Sequence, residues 1–474
     1  MPSPWLTESP GSADRAALAD AELRPYWPLT LPGREPHSPL EQTVDCDLLI
    51  VGGGFTGLWA ALYAKELAPE RDVVMLEGTR CGAGASSRNG GFLNYSLTHG
   101  TENGRARFPG EIATLEHLGI RNYEELCADL VRLGIDAELE QTGELDVAVS
   151  PEQAADLAVG LRVLEEFGHR AELLDREAVR TEVHSPLYLG GLWQRSGAAI
   201  VNPAKLADGL RRAALAAGVR IHEHSRVRRL RRGTHGVEAL TDVGVAHAGK
   251  VLLATSAYAP LVPAIGRYIA PVYDYALMTE PLTAVQLDSI GWKRRQGIGD
   301  GGNQFHYYRL TADDRILWGG YDAVYRYGGP VGPEFDDHPA SFARLSHNFF
   351  TNFPQLEGVR FSHRWGGAID TCSRFSVFFG RALGGDAVYA LGYTGLGVGA
   401  SRFGARTGLD LLDGRVGEAT GLEFVRRRPL PFPPEPLRDV VIQLTRNRLA
   451  AADRSGRRGV WLRTLDRLGL GFDS

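Results

Sequence analysis

The first clear pattern along the chain is a short run, Cys46-Asp47-Leu48-Leu49-Ile50-Val51, that leads straight into Gly52-Gly53-Gly54-Phe55-Thr56-Gly57. A run this short and this apolar does not make an amphipathic surface helix and predicts a buried strand. Leu58 to Leu67 reads as a helix whose Ala60, Ala61 and Ala64 permit close packing and which Pro69 stops. Val73-Val74-Met75-Leu76 predicts the next strand, and Glu77 follows it. An ordinary turn before a helix would explain the glycines alone, but strand, G-x-G-x-x-G turn, helix, strand and acid arrive in order, as in a dinucleotide fold. Gly52 allows the tight turn, Gly54 lets a pyrophosphate reach the backbone, and Gly57 lets the helix lie on the strand. The free helix N–H groups around Phe55 and Thr56 then meet the phosphate. Glu77 stands about twenty residues beyond Gly57, where a carboxylate accepts both hydroxyls of an adenosine ribose and disfavours a 2′-phosphate.

The same patterns recur downstream. Helices are predicted over Glu111 to Leu133 and Pro151 to Phe167, with a strand from Gly143 to Val149 between them. Asn202 is a good N-cap before Pro203, and the helix it opens runs to Ala217 and is capped by Gly218. Val219 to Ile221 is then a strand, Val237–Thr241 and Val243–Ala246 a strand pair, and Lys250 to Thr255 a buried strand. A second helix-plus-strand unit so far along implies a nucleotide domain that the chain leaves and re-enters.

From Val272 to Leu356 aromatic residues alternate along the chain. Asn303–Leu310 and Arg315–Gly320 flank Thr311-Ala312-Asp313-Asp314 as a hairpin. Alternation puts Phe305, Tyr307 and Arg309 on one face and His306, Tyr308 and Leu310 on the other, and one face should look at a ligand. Ala387 to Leu391 predicts a strand that delivers a second glycine-rich turn, Gly392 to Ser401, at the N-terminus of a helix running through Leu412.

The expected fold class is α/β, in the α+β two-domain sense: a discontinuous Rossmann-like nucleotide domain over 43–110, 196–270 and 358–420, with an antiparallel-sheet substrate or cap domain over 111–195 and 271–357. An extended, proline-rich arm, 1–42, precedes them, with one short helix from Ala13 to Glu22 and with Trp5, Tyr26 and Trp27 to pack it on the body. A proline-rich strap and a basic helical tail from Val440 to Leu468 make up 421–474 and read as a surface cover.

Composition changes this picture little. At 474 residues the chain is long for one core. With 43% hydrophobic and 23% charged residues it is globular, and a formal charge of -5 provides no basic face for nucleic acid. Cys46, Cys81, Cys127 and Cys372 are scattered without ligand-like spacing, which predicts reduced thiols and no metal site. No basic start precedes an apolar run, and no window reaches the eighteen or so apolar residues of a membrane span, so a cytoplasmic protein is expected.

On these residues the chain resembles the FAD-dependent D-amino acid oxidase and glycine oxidase superfamily, and within it the gamma-glutamylputrescine oxidase branch, over roughly Asp45 to Leu412. Four pieces carry the resemblance: Gly52 to Glu77, Gly82 to Gly91, Ala254-Thr255-Ser256-Ala257-Tyr258, and Trp365-Gly366-Gly367 with Gly392 to Ser401. It implies FAD with its ribose at Glu77, its adenine touching the Val227 backbone, and its pyrophosphate at Gly52 to Gly57 and near Ser86 and Ser87. The isoalloxazine is implied between Asn89, Gly90 and Gly91 on one side and Gly392, Thr394, Gly395, Leu396 and Gly397 on the other; Gly78, Arg88 and Thr255 complete the set.

The resemblance also implies oxidation of the C–N bond of an amine or amino acid by hydride transfer to flavin, with the imine hydrolysing afterwards and electrons passing to dioxygen or another acceptor. A dehydrogenase of a hydroxy acid or alcohol that feeds a protein acceptor is the alternative class. His306 and Tyr308 are the candidates to orient the amine, and Arg309 is the one obvious candidate for a carboxylate clamp, with a structural hairpin Arg as the alternative. Trp318 stands where sarcosine oxidases carry a Lys that helps activate oxygen. The two Arg/Lys clamps that hold an amino-acid carboxylate in those relatives are not recognisable, so an amine without an α-carboxylate fits better, and Arg309, Arg326 and His306 stand around the hairpin to receive a polar tail. Relatives tether flavin through a His in the first loop or a Cys in the later segment. Asn89 occupies the place of that His, and Cys372 lies near the Cys region as either a covalent anchor or a plain buried thiol.

Overall fold

A computed structural model describes residues 4–6, 9–233, 236–455 and 457–467. The strand Thr43–Val51 lies in the middle of a parallel sheet ordered Arg220–His222, Val73–Leu76, Thr43–Val51, Val245–Leu253, Ala387–Leu391. Leu48 and Ile50 turn towards the helices Phe55–Leu67 and Pro203–Ala216, whereas Leu49 and Val51 turn the other way onto Val237, Leu253 and Tyr389. Both faces are covered over Leu48–Val51, so that half of the strand is continuously apolar, whereas Thr43–Asp47 stays partly exposed. Asn202 caps Pro203–Ala216, its Oδ1 accepting the Lys205 N–H at 3.2 Å. The two strands expected around Val243 and Lys250 are one, Val245–Leu253, which pairs along its length with Thr43–Val51 and on its other side with Gly236–Leu240 over its first half and Ala387–Leu391 over its second.

The second sheet runs Glu22–Leu23, Phe361–Thr371, Ala270–Thr279, Ile316–Gly320, His306–Leu310, Gly297–Asp300, Glu144–Ala148, Gly190–Gln194, Ala171–Leu174. Its pairs are antiparallel except at Glu22–Leu23 with Phe361–Thr371 and at Gly297–Asp300 with Glu144–Ala148, so the cap sheet is mixed. The helix Pro339–Asn352 covers one face through Phe342, Leu345 and Phe349, while the other face looks onto the nucleotide domain across a cavity.

Three segments depart from the expected boundaries. The helix Ile112–Arg132, placed by sequence in the cap, packs Tyr123, Leu126 and Leu130 into the nucleotide-domain core. Its polar side holds Arg402 of the helix Gly397–Asp413 through Asp129 and Glu125, each at 2.8 Å. Phe361–Thr371, placed in the nucleotide domain, pairs along its length with Ala270–Thr279 in the cap sheet. In the arm the helix is confined to Ser12–Ala16, and Glu22–Leu23 instead adds a strand beside His363 and Arg364.

Trp5, Tyr26 and Trp27 are buried, and Arg34 forks onto Glu223 at 2.7 and 2.8 Å, so the arm is tied to both domains. Two helices, Leu437–Ser455 and Val460–Arg467, form the tail, of which Leu468 lies outside the described residues. Among the described residues no helix is long and apolar enough to cross a membrane.

Candidate active site

The first glycine turn is built as the spacing demands. Gly52 has φ +109°, and a Cβ there would meet the Ala254 carbonyl at 2.4 Å. A Cβ on Gly57 would meet the Gly52 carbonyl at 1.9 Å, which is why the helix can sit on the strand only with glycine at that position. Gly54 lines the cavity, with Ser86 across from it. Glu77 accepts the N–H groups of Gly53 and Thr79, each at 2.8 Å, and faces the cavity with lone pairs to spare.

The loop after it carries the short 3₁₀ turn Ala85–Ser87 and is held from behind by two indoles. Trp27 Nε1 donates to the Asn89 carbonyl and Trp365 Nε1 to the Arg88 carbonyl, both at 2.9 Å. Arg88 itself pairs with Asp336 at 2.6 Å. Asn89 Oδ1 accepts the Gly91 N–H at 2.8 Å, which fixes the turn that the sequence places beside the flavin.

The second glycine turn faces the first. Asp370 accepts the Gly392 N–H at 2.7 Å; burial pushes its carboxyl up to about 6 against the backbone N–H groups it accepts. Thr56 Oγ1 donates to Tyr393 Oη at 2.8 Å, joining the two turns. Gly395 and Gly397 line the cavity, and a Cβ on either would meet nothing within 4 Å. That open, side-chain-free backbone opposite the first turn is the space a bound dinucleotide fills, so the residues present fit FAD.

Of the expected cofactor residues, Gly52, Gly54, Phe55, Thr56, Glu77, Gly78, Ser86, Arg88, Asn89, Gly90, Val227, Thr255, Thr394, Gly395, Leu396 and Gly397 line one continuous cavity of about 1440 Å³. Gly57, Ser87, Gly91 and Gly392 stand behind it and shape its wall. Single-ligand pockets run to about 1,000 Å³. A cavity larger than that has room for a cofactor and a substrate together.

The hairpin turns inward the face opposite to the one that carries His306 and Tyr308. His306, Tyr308 and Trp318 point away from the cavity into the cap core. His306 is fully engaged: its Nδ1 donates to Asp300 at 2.8 Å, while its Nε2 accepts from Asn348 at 2.9 Å. Tyr308 shares its hydroxyl with Tyr188 at 2.7 Å. Arg309 is buried behind the first loop, donating to the Val201 carbonyl at 2.6 Å and lying over the Trp27 ring, and burial pulls its guanidinium down to about 10. It therefore supports the loop and offers no clamp to a substrate carboxylate. Arg326 is stacked against Phe335 and lies outside the cavity lining.

The opposite face of the hairpin looks into the cavity. Tyr307 lines the cavity, and Gly319, directly across the strand pair, leaves its ring room: a Cβ on Gly319 would meet it at 2.5 Å and one on Gly90 at 2.7 Å. Its hydroxyl donates to Asp274 at 2.6 Å. Burial holds Asp274 up at about 6, against the Tyr307 hydrogen bond that lowers it. Asp274 was missed from sequence, although a single acid within the apolar run Val272-Tyr273-Asp274-Tyr275-Ala276 was its signal. Glu144 and Asp146 also line the cavity, and burial raises both carboxyls, with the Asp146 charge adding to it at Glu144 and the Asp300 charge at Asp146.

Cys372 is buried at the second turn, its thiol donating to the Ser376 and Gly392 carbonyls at 3.2 and 3.3 Å, and burial raises its pKa. A thiol kept protonated this way is a poor nucleophile. FAD is accordingly expected to leave with the supernatant on acid precipitation; colour retained in the pellet would identify a covalent link. Among the described residues no group of three or more His, Cys, Asp or Glu could hold a metal.

A parallel nucleotide sheet, two facing glycine turns and a capped cavity define a two-domain dinucleotide-dependent enzyme. Residues 47–409 match the FAD dependent oxidoreductase family, and the chain belongs to it. It is 34% identical over 403 residues to the gamma-glutamylputrescine oxidoreductase of Escherichia coli K12, covering 84% of this chain and 90% of that one. A 4-methylaminobutanoate oxidase of Paenarthrobacter nicotinovorans is 27% identical over 50% of this chain and 27% of its own. Among solved structures, glycine oxidase from Geobacillus kaustophilus shares the fold with a TM-score of 0.66 at 21% identity, over 79% of this chain and 96% of that one. L-proline dehydrogenase from P. horikoshii does so with a TM-score of 0.64 at 18% identity, over 81% and 95%. FAD is the cofactor of this chain.

Glu77→Ala removes the acceptor that faces the ribose end of the cradle. The variant is expected to bind FAD less tightly by about 1 to 3 kcal/mol, the weight of a charged hydrogen-bonding partner. Titration of apoprotein with FAD, followed by flavin fluorescence, checks it; unchanged affinity removes Glu77 from the ribose.

Proposed function

We propose that the protein oxidises the C–N bond of an amine that carries a longer polar tail and lacks an α-carboxylate beside the reacting carbon. The observation that carries this reading is the Tyr307–Asp274 pair, set against Gly90 of the first flavin-facing loop and inside a chamber that also holds Glu144 and Asp146. The acids suit a cationic amine. Of the four arginines among the lining residues, Arg88 is committed to Asp336, Arg446 to Asp322 and Arg228 to Asp242, while Arg226 lies against Gly78 at the Glu77 end of the cavity, so none offers a clamp for a small amino acid beside Tyr307.

FAD, when bound, supplies the acceptor for a hydride from the substrate carbon. Asp274 receives the ammonium as an ion pair and takes its proton, leaving the free amine from which a hydride can depart. Tyr307 fixes the carboxylate and closes the side of the chamber. Trp27 and Trp365 hold the first loop so that the reacting carbon meets a fixed wall. Similarity to the gamma-glutamylputrescine oxidoreductase supports the tailed-amine reading.

Anaerobic stopped-flow reduction decides it. Acylated diamines should bleach the flavin at least about tenfold faster than D-alanine, glycine or sarcosine, a barrier difference of roughly 1.4 kcal/mol. Bleaching by hydroxy acids alone would reject the amine reading in favour of a dehydrogenase; fastest bleaching by D-alanine or sarcosine would reveal a carboxylate clamp.

A further inference from the structure

We infer that the C-terminal helix Leu437–Ser455 is a wall of the substrate chamber and determines which amine tails the enzyme accepts. The inference rests on the amine-oxidation reading above. It concerns a segment beyond residue 409, where the family match ends.

Ile442, Thr445, Arg446 and Leu449 all line the cavity. Their spacing of three, four and seven residues is one stripe of a helix, so a single face is presented inward. The helix is pinned to the two cap loops that flank the open end of the aromatic hairpin. Asp453 accepts the N–H groups of Asn303 and Gln304 at 3.1 and 3.0 Å. Arg446 pairs with Asp322, and Gln443 donates to the Tyr325 carbonyl at 3.2 Å. Just before the helix, Glu435 accepts the Tyr325 hydroxyl at 2.5 Å and the Gly328 N–H at 3.1 Å.

These loops adjoin Phe305 and Tyr321, which line the same cavity. Phe305 precedes Tyr307 by two residues, roughly 7 Å along an extended chain. An amine held at Asp274 therefore extends its tail past Phe305 and against this helix. Ile442 and Leu449 offer contact for an alkyl chain, and Thr445 offers a hydroxyl to a polar group farther along it. The chemical class that fits is an amine whose chain is several carbons long and ends in a hydrogen-bonding group. A short amine never reaches the wall.

Asp453→Lys replaces the acceptor of two backbone N–H groups with a cation and releases the helix from the 303–304 loop; Leu449→Ala trims the wall without undocking it. Each holoenzyme is assayed with an acylated diaminobutane and with a short alkylamine, and iodide quenching of flavin fluorescence is measured in parallel. FAD content and Tm establish that each variant is folded. Asp453→Lys is expected to raise KM for the long amine about tenfold or more, the scale of lost pocket contacts, with the short amine within about twofold. Its flavin becomes more accessible to iodide, while Leu449→Ala shows the KM effect alone. Equal losses for both amines, or unchanged KM and quenching in both variants, overturn the inference. If no amine reduces the wild-type flavin, the amine reading falls and the tail-selection inference falls with it, while iodide access in Asp453→Lys still reports whether the helix covers the chamber.

Discussion

Asp274→Asn is expected to slow flavin reduction by an amine about 100-fold or more, the usual weight of a positioned general base. The variant keeps its shape and its hydrogen bond to Tyr307 but cannot take a proton, so FAD content and Tm should stay close to the parent values. The pH profile separates a proton acceptor from a merely structural acid. Burial raises the Asp274 carboxyl to about 6, and the nearby Asp322 charge adds to it, while the Tyr307 hydroxyl and the Tyr275 and Gly320 N–H groups lower it. The base is active only when ionised, so reduction by wild type should rise as pH passes upward through about 6. That limb should vanish in Asp274→Asn. In Tyr307→Phe it should move to higher pH, because a hydrogen bond that favours the carboxylate has been removed. A single-turnover profile unchanged in all three proteins would falsify the assignment.

Gly397→Val is expected to weaken FAD binding by about 1 to 3 kcal/mol, roughly 5- to 150-fold, as side-chain atoms enter space the cofactor requires. The apoprotein should be little affected, since a Cβ at Gly397 meets nothing within 4 Å. Gly57→Ala is the contrasting variant, because its Cβ falls 1.9 Å from the Gly52 carbonyl and cannot be relieved by a rotamer. It should lower Tm of the apoprotein as well as FAD content. Differential scanning calorimetry of both apoproteins, beside FAD titration of each, checks the pair; equal Tm losses would show that the second turn is ordinary packing.

The nucleotide half of the molecule was legible because its signals are local. Gly52, Gly54, Gly57 and Glu77 fix turn, close approach and acid within one strand–helix–strand unit, and the structure lines one cavity with most of the residues named from it. The hairpin itself was legible too, but not the face it turns inward. Period-two alternation divides Phe305 and Tyr307 from His306 and Tyr308 without saying which set meets a ligand, and aromatic residues occupy both faces. The glycine paired across from Tyr307 would have decided it, since Gly319 leaves room for a ring on the cavity side while Trp318 fills the core side. Phe361–Thr371 was assigned to the wrong sheet for a different reason: strand partners are set by tertiary packing, and nothing within the segment marks Ala270–Thr279 as its neighbour. The tail read as a cover because its inward stripe is short and mixed, Ile442 and Leu449 with Thr445 and Arg446 between them.

The parallel sheet also has a consequence for how the enzyme is made. Val251, Leu252 and Leu253 pair with Ala387, Val388 and Tyr389, and the strand they recruit delivers the second glycine turn. A ribosome emits the first turn early, but the second only after the whole cap has been synthesised. Until then one edge of an apolar parallel sheet stays open, a state prone to intermolecular pairing. Flavin loading is consequently expected only after the second turn has emerged, and the yield of yellow protein in an expression host should depend on chaperone capacity and slower synthesis more than on flavin supply.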